Sequence, residues 1–154
     1  STMLWSVLLA GGLIALSLID FATLRLPNIG TLGLAMSGLL ATMHQTADDL
    51  ASHVAAGLAG FAFLLILNAS YRALRGRDGI GGGDAKLLAA AGTWAGPIGL
   101  VSVLLWSTLT ALLAFLVLSL GGREVGRQSQ LPFGPFLALA IWITWCFGPL
   151  QAVP

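Results

Sequence analysis

Charge is what this chain has least of. Of 154 residues, seven are Lys or Arg and six are Asp or Glu, together 8%, where a soluble domain carries about 25%. So few ions give no polar coat for water, which excludes an ordinary soluble fold. The near balance of signs, a net charge of +1, excludes the basic face that nucleic-acid binding requires. Cysteine occurs once, as Cys146, inside an apolar run. One thiol allows neither a disulfide framework nor a Cys-based metal site, and no cofactor or metal is expected. No basic flank precedes the first hydrophobic segment, so it does not read as a cleaved signal peptide.

What fills the chain instead is hydrocarbon: 57% of its residues are apolar. A bilayer core takes about 20 apolar residues per helix, and windows of that kind place six spans, near 3–20, 29–45, 51–73, 84–96, 98–120 and 133–151. The breaks between them carry turn chemistry, as in Leu26-Pro27-Asn28, Gly79 to Gly83, Gly96-Pro97, Gly121-Gly122 and Leu131 to Pro135. The expected fold is all-α, a polytopic bundle of about six transmembrane helices forming a single membrane-embedded domain over 3–154. Membrane lipid is therefore one partner.

The basic residues orient it. Arg25 falls in the first loop, Arg72, Arg75, Arg77 and Lys86 around the third, and Arg123 and Arg127 in the fifth. Odd-numbered loops share one side, so the positive-inside rule puts these loops in the cytoplasm and both termini outside. The segment 84–96 is awkward. Its thirteen residues reach about 20 Å, short of a core of about 30 Å. Either Pro97 kinks one very long helix or this helix is short and its ends are recessed. The short helix is preferred, because fusion would put Lys86 and Arg123 on opposite sides.

Most of the carboxylates have ordinary uses. Asp48 and Asp49 stand beside His44 and His53 in the second loop. Two His/Asp pairs at i,i+4 can in principle hold a metal, but a solvated loop is the expected reading. Asp78 and Glu124 neighbour arginines and read as loop charges. Asp20 and Asp84 differ. Asp20 ends the first apolar run, where the helix dipole disfavours an anion, and Asp84 opens the fourth helix, where capping is an alternative use. Both lie at the cytoplasmic end of their spans and at similar depth. An ionisable side chain so near hydrocarbon is a functional candidate. Two adjacent carboxylates share one proton, and such a pair performs general acid–base hydrolysis without metal or covalent intermediate. Proton-coupled carriers also use buried aspartates, so a small transporter or ion-pathway protein with Asp20 and Asp84 as a cation or proton site remains open, as does a purely structural role. A carrier more often sets its acids near mid-span.

Three segments resemble a known family. Ile80-Gly-Gly-Gly-Asp84-Ala-Lys86 is similar to the Gly-x-Gly-Asp motif of prepilin peptidases (type IV leader peptidases), a motif shared with presenilin-like proteases. Ser17-Leu-Ile-Asp20 followed by Leu26-Pro27-Asn28 resembles the family's first catalytic site. Leu131-Pro132-Phe133-Gly134-Pro135 resembles its C-terminal Pro-Phe-Gly-Pro segment. The resemblance covers nearly the whole chain. It implies an aspartyl endopeptidase of the bacterial inner membrane that cleaves the basic leader of prepilins or pseudopilins at the cytoplasmic face, in type IV pilus or type II secretion systems. It carries Asp20 and Asp84 over as the catalytic pair. Gly81, Gly83, Lys86, Pro27, Asn28, Pro132, Gly134 and Pro135 follow as motif residues. Larger members carry an N-terminal segment with paired cysteines linked to N-methylation, so no methyl donor is expected here. Finally, Gly92-x-x-x-Gly96 and Ala56-x-x-x-Gly60 have the spacing of close helix packing, expected to be within the bundle.

Overall fold

The computed structural model describes residues 2–23, 25–76, 82–122 and 133–148. Among them the chain is helical without strands: α1 (Thr2–Thr23), α2 (Asn28–Gln45), a 3-10 turn (Ala47–Asp49), α3 (Leu50–Arg75), α4 (Gly82–Leu120) and α5 (Gly134–Phe147). Three stretches, Thr2–Thr23, Ala47–Arg75 and Gly83–Leu120, are long and apolar enough to cross a bilayer, and Gly134–Phe147 is a shorter apolar helix. The outer face is hydrocarbon too, with Leu18, Ile66 and Leu112 each more than 60% exposed. Large exposed apolar area of this extent has lipid as its natural solvent. This is an all-helical membrane protein.

Two boundaries differ from the expected spans. Helix α1 continues past Asp20 to Thr23, and the Thr23 hydroxyl donates back to the Ile19 carbonyl at 2.7 Å, so Asp20 sits one turn inside the helix end. Helix α5 stops at Phe147, not 151. Gly148 takes a positive φ of 79° there and its N–H closes on the Thr144 carbonyl at 2.9 Å.

Helix α4 is not one rod. Gly96 adopts φ 73°, ψ −175°, a conformation open to glycine and to few other residues. A continuous helix would separate Leu88 from Leu100 by about 18 Å. Instead both pack on the same point of α3: a methyl added at Gly60 would lie 3.0 Å from the Leu88 carbonyl oxygen and 3.2 Å from a Leu100 methyl. The chain therefore folds back at Gly96-Pro97, giving a first arm (82–95) and a second arm (97–120). That agrees with the break placed between 84–96 and 98–120.

The first arm runs antiparallel to α3, with Gly60 beside Leu88, Gly57 beside Ala89 and Thr93, and Gly92 against the backbone of Ala56 and Gly57. A methyl on Gly92 would come to 2.5 Å from those backbone atoms, so small residues set the interhelical distance. The small-residue spacing thus serves packing within the bundle. Gly96 is the exception, being the fold-back itself.

Pro97 has no N–H, so it leaves the carbonyl of Thr93 without its helical donor. The Thr42 hydroxyl donates to that carbonyl at 3.3 Å, and His53 supplies a second partner. Its Nδ1 lies 2.9 Å from the Thr93 oxygen and 3.2 Å from the Thr42 hydroxyl, and its ring lies over Gly96. The span expected over 51–73 already held His53, next to the loop carboxylates Asp48 and Asp49. His53 belongs to α3 and points into the bundle, away from a loop metal site. Nearby, Trp94 meets Trp145 edge-on at 5.2 Å between centroids and Trp5 at 6.5 Å. Trp145 Nε1 also donates to Ser6 Oγ at 2.9 Å, which ties α5 to the start of α1.

Candidate active site

At the opposite end of the bundle the three motif segments converge. Helix α1 brings Asp20, the link after it brings Leu26, Pro27 and Asn28, α4 opens with Gly83, Asp84 and Lys86, and α5 opens with Gly134 and Pro135. Four helix ends separated by up to 114 residues thus meet in one place.

Contacts between named atoms define it. The Gly134 N–H donates to Asp20 Oδ2 at 3.1 Å. A side chain at Gly134 would run into that carboxylate, with an added methyl 3.0 Å from Asp20 Cγ, so close approach requires glycine here. Pro135 follows in the first turn of α5, where its missing N–H costs nothing. Gly83 admits Leu26: an added methyl would lie 2.7 Å from Leu26 Cβ. Lys86 Nζ donates to Asn28 Oδ1, tying the start of α4 to the start of α2. Pro27 precedes the first turn of α2, and its carbonyl accepts the Thr31 N–H at 3.1 Å.

Asp20 and Asp84 are 5% and 9% exposed and lie within electrostatic reach of each other. Both members of the expected pair are therefore buried at the same end of the bundle. Of the other expected motif residues, Gly81 and Pro132 lie outside the described residues, as do Arg77, Asp78, Arg123, Glu124 and Arg127. Sequence reading missed that the third motif contributes a backbone amide to Asp20. A glycine followed by proline at a helix start was the available signal.

Buried paired carboxylates at one end of a helical membrane bundle define a class: a membrane protein with an acidic centre near one face. The chain belongs to the type IV leader peptidase family, whose model matches residues 7–117. It is 39% identical over 144 residues to a prepilin leader peptidase/N-methyltransferase of Aeromonas hydrophila, covering 93% of this chain and 49% of that protein. A protein of the same description from Burkholderia pseudomallei (strain 1026b) is 39% identical over 140 residues, 91% of this chain and 45% of its own length. One from Neisseria gonorrhoeae is 36% identical over 145 residues, 90% and 49%. The chain thus spans about half the length of the curated relatives it matches. No solved structure matches it.

Proposed function

We propose that this chain is the aspartyl endopeptidase domain of a prepilin leader peptidase, cutting the basic leader of prepilins or pseudopilins at the cytoplasmic face of the inner membrane. The observation that carries this is that Asp20 and Asp84 are both buried where the three motif segments converge. In this reading the pair shares one proton. The ionised carboxylate takes a proton from water as it adds to the scissile carbonyl, and the protonated one hydrogen-bonds the carbonyl oxygen.

The same reading gives six crossings with both termini outside. Arg72 and Arg75 lie on the end of α3 that runs past the acidic pair, because α3 is antiparallel to the first arm of α4; Arg25 in the link after α1 and Lys86 at the start of α4 lie at the same end of the bundle. Asp48 and Asp49 belong to the other end. Under the positive-inside rule the pair then faces the cytoplasm, where a leader peptide begins. Gly83, Lys86, Pro27, Asn28 and Pro135 shape the rim of the site.

The test is co-expression with a prepilin, reading its size shift, for wild type, Asp20→Asn and Asp84→Asn. Wild type trims the substrate and each variant, present in the membrane at wild-type level, falls by about 1,000-fold or more, at the upper part of the range for general acid–base groups. Trimming that survives either substitution removes the dyad.

A further inference from the structure

The proposed chemistry leaves one question open that the geometry answers: which carboxylate accepts the proton from water. Two like-charged groups at a shared site divide the work according to what surrounds each. Both aspartates lie near a helix start, Asp84 in the first turn of its own helix α4 and Asp20 beside the first turn of α5. Asp20 also stands in the last turn of α1, whose dipole works against an anion, so helix dipoles do not single it out. A direct bond does. The Gly134 N–H points at Asp20 Oδ2 across 3.1 Å, and a backbone amide aimed at a carboxylate makes a charge-assisted bond that favours the anion.

That amide also restrains rotation. With Oδ2 held by α5, Asp20 has its other oxygen, Oδ1, for a water molecule. The absence of a side chain at Gly134 is part of the same device, since a methyl there would occupy the space of the carboxylate.

We propose that Asp20 is the proton acceptor of the pair, with Gly134 as the residue that positions it, and that Asp84 carries the shared proton. This rests on the peptidase reading above. The step balances as follows. The water oxygen bonds to the scissile carbonyl carbon, its proton passes to Asp20, and Asp84 gives its proton to the carbonyl oxygen. When the C–N bond breaks, the Asp20 proton goes to the departing nitrogen. A hydroxyl proton of the tetrahedral carbon returns to Asp84. The products are a free carboxyl and a free amine, and the pair ends as it began.

The experiment uses the purified chain in detergent or lipid, followed by infrared spectroscopy at neutral pH and by prepilin cleavage kinetics. The carbonyl stretch of a protonated carboxyl is expected in wild type and lost in Asp84→Asn, because the Asp20 left behind is ionised. Gly134→Ala is expected to lower kcat by about 100-fold, within the range for a general base, while KM stays within about threefold. Gly33→Ala, at a position with open space around it, serves as the unchanged control. The inference is overturned if wild type has no such band, if the band persists in Asp84→Asn, or if Gly134→Ala keeps kcat within about threefold of wild type. Should Gly134→Ala not accumulate, the Asp84→Asn spectrum alone decides. Cleavage that needs neither aspartate brings down the aspartyl dyad on which this inference rests; cleavage that needs both, with the band intact in Asp84→Asn, brings down only the assignment of roles.

Discussion

The two ends of the bundle are built on opposing terms. Around the fold-back, Trp5, Trp94 and Trp145 pack edge to face, and the Thr93 carbonyl exposed by Pro97 is met by His53 from another helix. At the other end, two carboxyl groups, Asp20 and Asp84, are buried, one of them held by a backbone amide. The first arrangement lowers the energy of the folded chain. The second raises it, because ionisable groups near hydrocarbon are costly, and such costs persist where chemistry uses them. Stability and activity should therefore separate along the bundle axis.

The largest test of that separation is Gly92→Leu. Its side chain has no room against the α3 backbone, and overpacking of this severity costs about 3 kcal/mol or more. The folded protein should be lost from the membrane fraction, read by immunoblot and size-exclusion profile. His53→Ala is milder. With the Thr42 hydroxyl still donating to the Thr93 carbonyl, losing the His53 bond costs about 0.5–1.5 kcal/mol, so the thermal midpoint in detergent should drop while the kcat of the surviving folded enzyme holds. Asp84→Asn should do the reverse, abolishing cleavage while stability stays level or rises by up to about 1 kcal/mol. A drop in midpoint with Asp84→Asn as large as that of His53→Ala would break the comparison. Smallest is Gly33→Ala on the open face of α2, expected to gain about 0.5–1 kcal/mol with no change in cleavage.

Much of this was legible in the sequence because membrane proteins expose their rules. Scarce charge and long apolar runs gave the all-helical membrane class. Turn chemistry at Gly96-Pro97, with the need to keep Lys86 and Arg123 on one side, put a break there. Asp20 and Asp84 stood out because hydrocarbon flanks them, and three separate motifs pointed to the family. What stayed hidden was carried by backbone atoms or by distant partners. Gly134 matters through its N–H, and no side chain advertises that. His53 fell in the expected third span with no partner in view, since its use depends on a carbonyl forty positions away. Pro97 held the clue: a carbonyl stripped of its donor inside a membrane must find another. The end of α1 moved from 20 to 23 because Thr23 satisfies its own helix, a local bond that hydropathy does not register.

The bond between α5 and Asp20 also says something about birth order. Helices of such a protein are made from the N-terminus onward, and Asp20 emerges more than a hundred residues before its amide partner. Until residue 134 has been synthesised and its helix has docked, the first aspartate lacks the group that aims it. A nascent chain thus carries Asp20 without its amide partner, and α5 completes that pairing only when it docks.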